Sequence, residues 1–318
     1  MTSPMKDCQG LSRLNVIIIL AYMIPVSFFT LVGNALVILA VVRYRLLRTP
    51  TNLIISSLAL ADLMTGCVGI LPYLIFNLTG DVLPCNSLYI VVFSTPMSVG
   101  MTVSLLHIIA VTVDRFIAVT LPLRYSTIVT YRRLKVIITS LWIMGSMQIV
   151  RSLLLVLVDK KLPTIKCFGG NFVDSSLVAF NSVLCGVYVC TFAVLIVLNV
   201  RILQIATRQS RTNTTRNQAY DENRNRREKP IDRLKAAKTI SLIVCIFVVC
   251  WLPSGVAFAL ELSKVSTVWH SAIFQSMMTA QGINSAVNPL IYGCRDRTFR
   301  KAFKKILHWG NKHFHGNV

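Results

Sequence analysis

Apolar runs and polar breaks divide the chain into seven long hydrophobic segments, about 15–43, 51–77, 87–118, 134–158, 175–203, 237–262 and 268–292. Each meets or exceeds the roughly 20 residues that a helix needs to cross a hydrocarbon core of about 30 Å. No water is present there to bond an exposed backbone, so a spanning segment must satisfy its own N–H and C=O groups, as a helix does. The breaks are mostly short and carry charge, as in Arg43-Tyr44-Arg45 and Asp159-Lys160-Lys161. The expected fold is an all-α membrane protein, a bundle of seven spanning helices over 15–292 that follows a short N-terminal stretch, 1–14.

Two polar stretches depart from the short-break pattern. The linker 207–233 includes TRQSRTNTTRNQAYDENRNRREKP, too hydrophilic to bury a core, and is expected to be a flexible loop. In DRTFRKAFKKILHW, Phe299, Phe303, Ile306 and Leu307 share one helical face against Arg300, Lys301, Lys304 and Lys305. Such a face suits an amphipathic helix lying on the bilayer, so 293–318 is expected to hold a short eighth helix and a tail.

Composition supports a membrane solvent. Of 318 residues, 54% are hydrophobic and 14% charged, with mean hydropathy +0.64, which excludes an ordinary soluble domain. The net charge of +21 does not point to nucleic acid, because the cations sit in the breaks. Arg43, Arg45 and Arg48 follow the first run, Arg124, Arg132, Arg133 and Lys135 the third, and most others lie in the long linker and tail. The positive-inside rule then places the N-terminus outside and the C-terminus in the cytoplasm. None of the nine cysteines forms a C-x-x-C pair, and Cys67, Cys185, Cys190, Cys245 and Cys250 are expected to be small core residues. His107 and His270 have no metal-spaced or triad-like companions, so no catalytic chemistry is legible.

Polar groups inside the apolar runs carry the functional signal. Asp62 sits in LALADL, where an ionisable group costs at least about 2.5–3.5 kcal/mol unless it faces the bundle interior. Asn34, Ser104, Asn284, Ser285 and Asn288 lie at comparable depth in other runs, and a carboxylate among neutral oxygens suits a monovalent cation or a proton. Asp114-Arg115-Phe116 ends the third run and puts a permanent guanidinium at the membrane edge, where a neighbouring acid is its natural partner. Pro253 in CWLP and Pro289 in NPLIY each remove a helix hydrogen bond and mark kinks.

In order along the chain, Gly33-Asn34, Leu60-Ala61-Asp62, Asp114-Arg115-Phe116, Trp142, Phe247 with Cys250-Trp251-Leu252-Pro253, and Asn288-Pro289-Leu290-Ile291-Tyr292 resemble the rhodopsin-like (class A) G-protein-coupled receptors. The resemblance covers nearly the whole chain. It implies a plasma-membrane receptor in which an extracellular ligand shifts an inactive-to-active equilibrium, the sixth helix swings outward, and a heterotrimeric G protein enters from the cytoplasm. It further implies that Asp114, Arg115, Phe116, Pro122 and Leu123 serve coupling. Phe247, Trp251, Pro253, Pro289 and Tyr292 become the switch, and Asp62, Ser104, Asn284, Ser285 and Asn288 hold sodium as an allosteric ligand, with no cofactor otherwise.

Several positions depart from the family pattern. Thr191 stands where the fifth span usually has proline, and Asn199 where a tyrosine is usual. Arg233 takes a place that in some members holds an acid locking the arginine, which implies signalling without ligand. Ile90 replaces the usual disulfide cysteine of the third span, and Cys85 with Cys167 is the expected pair, with Cys8 as the rival partner. The tail after Thr298 has no Ser or Thr, so phosphorylation-dependent arrestin capture would use Thr207, Ser210, Thr212, Thr214 or Thr215.

For the ligand, Met97 stands where amine receptors carry an aspartate, and Gly282 where opsins carry the retinal lysine. Both ligands are therefore unexpected. The displaced cysteine and missing proline resemble the melanocortin, lysophospholipid and cannabinoid receptors, while TLPLRYSTIVTYRR resembles adenosine receptors, although Phe258 stands in place of the asparagine that meets the purine. Met97, Phe168, Trp251, Phe258 and Met278 suggest an apolar pocket for a lipid, a peptide side chain or a nucleoside. The alternative from another class is a small transporter or channel, with Asp62 on a conduction path.

Overall fold

The computed structural model describes residues 13–72, 95–158, 175–216, 238–239, 241–252 and 270–314. Among them the secondary structure is helical and no strand occurs. The first span combines α1 (Arg13–Phe28), a π-helical turn (Phe29–Gly33) and α2 (Asn34–Arg43). A 3-10 turn (Arg45–Leu47) leads into α3 (Pro50–Thr65), which ends in a second π turn (Gly66–Ile70). Next come α4 (Thr95–Thr120), the short α5 (Tyr125–Ile128), α6 (Tyr131–Val158), α7 (Ser175–Arg216), α8 (Ser241–Leu252), α9 (His270–Arg295) and α10 (Arg297–Phe314). Stretches long and apolar enough to cross a membrane lie at Ala21–Arg43, Pro50–Ile70, Ser98–Thr120, Tyr131–Val150 and Val189–Gln209.

Local chemistry sets several helix ends. Thr49 Oγ1 accepts from Asn52 N at 3.3 Å and Pro50 occupies the first turn, a capped start for α3. Asp296 separates α9 from α10, and its Oδ1 accepts from the backbone N–H groups of Thr298 at 2.7 Å and Phe299 at 3.2 Å. α10 starts there, with its buried Phe299 and Ala302 packed into the main core.

α4 is the hub: it packs against α3, α6 and α7, while α9 packs against both π turns. The core runs from Val37 and Ala40 through Leu58, Ile108 and Leu195 to Phe247, Trp251 and Ile291. Outward-facing residues remain apolar, as with Val136, Ile143, Val197 and Val249, because lipid and not water lies against them.

The structure corrects three expectations. α7 runs on to Arg216, so residues 207–216 of the expected flexible loop are helical; helix hydrogen bonds satisfy the backbone there without an apolar side. Thr207 Oγ1 is consequently tied to the Leu203 carbonyl at 2.7 Å. Cys67, Cys190 and Cys245 are exposed on the bundle exterior, and of the expected core cysteines Cys250 alone is seen buried; Cys185 lies among the side chains outside the described residues. Lipid accepts a small thiol as readily as a core does. Leu307 is 56% exposed, so the inward face of α10 is Phe299, Ala302, Phe303 and Ile306.

Candidate functional site

Asp62 is fully buried where α3, α4 and α9 meet. Its Oδ1 accepts from Ser104 Oγ at 3.3 Å and Ser285 Oγ at 2.9 Å, and its Oδ2 from Asn288 Nδ2 at 2.9 Å. Asn284 is buried nearby on α9, but its amide oxygen has no partner and it does not bond Asp62. The cluster thus offers a carboxylate and neutral oxygens to a cation while the bundle excludes lipid. Pro289 explains a further contact. Having no N–H, it leaves the Ser285 carbonyl without its helical partner, and Asn34 Nδ2 donates to that carbonyl at 3.0 Å. The two π turns flank this layer, one directly before Asn34 and the other four residues after Asp62. Hydropathy gives no sign of either.

At the opposite end of α4, Asp114 collects several donors. Arg115 Nε and Nη2 reach its Oδ2 at 3.0 and 2.7 Å, and Thr51 Oγ1 donates to the same atom at 2.7 Å. Tyr125 OH donates to Oδ1 at 2.7 Å, and Arg115 Nη2 also donates to Thr51 Oγ1. Burial, with the Asp114 carboxylate close by, pushes the Tyr125 hydroxyl up to about 12, so it keeps its proton and remains a donor at neutral pH. The sequence supplied the acid and the arginine but not Thr51 or Tyr125. Polar residues directly beside a span end were the available signal. Phe116 packs with Val119, Ile202 and Ala206, while the Leu123 side chain beyond Pro122 is 80% exposed.

Between these two clusters lies a third. His107 Nδ1 sits 2.8 Å from the Val103 carbonyl, which only accepts, so Nδ1 carries the proton and Nε2 accepts from Ser57 Oγ at 2.8 Å. Trp142 Nε1 donates to the same Ser57 oxygen at 3.0 Å, tying α3, α4 and α6 together. This makes His107 a satisfied structural group.

Toward the other side, the Phe247 and Trp251 rings pack at a tilt with centroids 5.6 Å apart, and the ring of Phe192 of α7 lies 6.0 Å from that of Phe247. Phe192 extends the expected switch onto α7 and was not marked by any sequence motif. Tyr292 is buried, its hydroxyl has no partner, and its ring stacks on Phe299 at 5.6 Å. Pro253, Phe258, Phe168, Cys85 and Cys167 lie outside the described residues, as do the side chains of Met97 and Met278. The described residues therefore include those expected to hold sodium, to serve coupling and to form the inner switch, while most of the expected ligand pocket and both cysteines of the expected disulfide lie outside them.

Residues 33–292 match the family described as 7 transmembrane receptor (rhodopsin family). The chain is 32% identical over 307 residues to Adenosine receptor A2b of Bos taurus, covering 89% of this chain and 87% of the relative. It is 28% identical over 284 residues to Trace amine-associated receptor 13c of Danio rerio, covering 87% and 82%. With Dopamine receptor 2 of Drosophila melanogaster it shares 27% identity over 393 residues, covering 91% and 70%.

Proposed function

The chain belongs to the rhodopsin family of seven-transmembrane receptors and is a multi-pass G-protein-coupled receptor, and from that premise we propose how its residues divide the work. The transporter or channel alternative is set aside, since the relatives over nearly the whole chain are receptors.

The receptor sits in the plasma membrane with its N-terminus outside. A ligand entering from outside meets Met97, Phe168, Phe258 and Met278, and the Trp251–Phe247 pair passes the contact inward. Outward movement of α8 then opens the cytoplasmic end for a heterotrimeric G protein, with Arg115 leaving Asp114 and Leu123 entering an apolar pocket of the partner. Arrestin, if recruited by phosphate, uses Ser210, Thr212, Thr214 or Thr215 in preference to Thr207, whose hydroxyl is engaged. In the resting state Asp62, Ser104, Ser285 and Asn288, with Asn284 beside them, hold a sodium ion.

Two of the relatives are amine receptors by name, but Met97 offers an ammonium no counter-charge, which supports an uncharged ligand. Adenosine receptor A2b among the relatives puts nucleosides first in the panel to test, followed by lipids and peptides; Phe258 argues against a purine amine contact at that position.

The observation that carries the coupling role is the Asp114–Arg115–Thr51–Tyr125 cluster beside the exposed Leu123. It is tested by G-protein activation in transfected cells, wild type against Arg115→Ala at matched surface expression. The expected result is basal or ligand-driven activation that falls at least tenfold in Arg115→Ala. Equal activation in the two would refute the assignment.

A further inference from the structure

The short helix α5 does not hold itself. A single turn closes too few bonds to offset the order it requires, so whatever fixes Tyr125–Ile128 comes from outside it. At its start, Tyr125 OH donates to Asp114. At its end the last carbonyls have no partner within the helix, as at any helix terminus. Arg133 of α6 supplies one: its Nη1 donates to the Thr127 carbonyl at 3.1 Å and to the Ile128 carbonyl at 3.0 Å. A cation is also the favoured charge at that end of a helix.

The base from which Arg133 reaches is itself fixed. Thr130 caps the first turn of α6, its Oγ1 accepting from Arg133 N at 3.4 Å, and the Leu134 N–H donates to the Thr130 carbonyl at 3.0 Å. Tyr131 OH donates to the Arg48 carbonyl, and Val129 and Leu134 are buried in the main core. On the other side of α5, the Arg124 N–H closes a turn onto the Leu121 carbonyl at 3.0 Å, and that turn carries the exposed Leu123. A continuous set of bonds thus runs from Arg133 through α5 to the side chain assigned to the G protein. Arg132, one residue earlier, is exposed, and no hydrogen bond from it to α5 occurs among the described residues.

We propose that Arg133 is a positioning residue for G-protein binding, which holds α5 so that Leu123 is presented ready to dock. The proposal deepens the coupling role given above and rests on the docking of Leu123. With α5 released, only the fraction of receptors that present Leu123 correctly binds at once. The apparent affinity falls by that fraction, while the exchange step at Arg115 is untouched.

The test titrates purified heterotrimeric G protein, of the class giving the fastest exchange with wild type, against the full chain in nanodiscs. Ligand-independent uptake of GTPγS gives the half-saturating concentration and the maximal rate separately. Arg133→Met is expected to raise the half-saturating concentration about fivefold, with maximal rate and melting temperature unchanged and faster amide exchange across 125–129. Arg133→Lys, which keeps a donor on α6, should recover part of the loss. Arg132→Met removes the same charge next door and should leave both constants as they are. Leu123→Ala alone should weaken binding, and adding Arg133→Met to it should bring no further loss, because the two act through one contact. Additive losses in the double variant, an equal loss in Arg132→Met, or a fall in maximal rate in place of affinity would overturn the proposal. Full-strength binding by Leu123→Ala would overturn the docking role beneath it, whereas a weakened Leu123→Ala beside an unchanged Arg133→Met would overturn the proposal alone.

Discussion

The two sides of this bundle are built differently. Where α1, α2, α3 and α9 meet, backbones approach through glycine: a Cβ on Gly33 would lie 2.8 Å from Pro289, and one on Gly66 would lie 2.8 Å from Thr30. The polar groups there are tied across helices by Asp62, Ser285, Asn288 and Asn34. On the α7 and α8 side the joining contacts are long. Asn199 Nδ2 reaches the Ser241 carbonyl at 3.4 Å and Cys245 Sγ at 3.9 Å, while the Asn199 amide oxygen and the Ser241 hydroxyl are buried without partners. One side is held by short interhelical bonds and close backbone approach and the other by long contacts, while buried oxygens without a partner occur on both, at Asn34, Asn284 and Tyr292 as at Asn199 and Ser241. That asymmetry suits a receptor in which α8 moves against a fixed frame.

The same substitution placed on each side should break this contrast if it is false. Gly33→Ala drives a methyl into the rigid ring of Pro289 and is expected to cost about 1–3 kcal/mol, as overpacking does. Gly186 on α7 has nothing within 4 Å of an added Cβ, so Gly186→Ala is expected to be neutral or to stabilise by up to about 1 kcal/mol. Thermal unfolding of the two purified variants decides it. Equal losses would mean that α7 is packed as tightly as the frame.

Sodium should act on the fixed side alone. If Asp62 holds the ion, raising sodium to tenfold over its Kd stabilises the resting receptor by about 1.4 kcal/mol. Asp62→Asn retains the shape but removes the charge, so the sodium-dependent rise in melting temperature, read against potassium at equal ionic strength, should vanish. A persistent difference between the two salts in that variant would place the sodium elsewhere.

The sequence exposed the frame unevenly. Spans were legible because a hydrocarbon core demands long apolar helices, and Asp62 was placed inside because burying it in lipid is too costly. Which apolar face turns inward was not legible. In water, exposure selects against apolar residues; in lipid it does not, so Cys67, Cys190 and Cys245 carry no mark of facing out. Partners distant in sequence were equally silent. Thr51 and Asp114 are 63 positions apart, and nothing local to either announces their 2.7 Å bond. The extension of α7 to Arg216 escaped for a third reason: outside the membrane a polar helix and a polar loop have the same hydropathy.

The smallest effect discriminates most sharply, because it asks for opposite signs from one chemical change. Ser285 Oγ donates to Asp62 Oδ1 at 2.9 Å, so Ser285→Ala takes a donor from a buried carboxylate. Interhelical hydrogen bonds in membrane proteins contribute about 0.6 kcal/mol on average and up to about 1.7, and a loss in that range is expected. The hydroxyl of Ser241 is buried and unpartnered, so Ser241→Ala removes a polar atom that is already desolvated. The resting receptor should gain a few tenths of a kcal/mol, up to about 1. If that hydroxyl instead finds a partner once α8 has moved, Ser241→Ala also withdraws a bond from the active arrangement, and basal G-protein activation should fall as the melting temperature rises. A loss of thermal stability in Ser241→Ala matching that in Ser285→Ala would show the α7–α8 contact to be as well satisfied as the frame, and the division between a fixed and a movable side would fail.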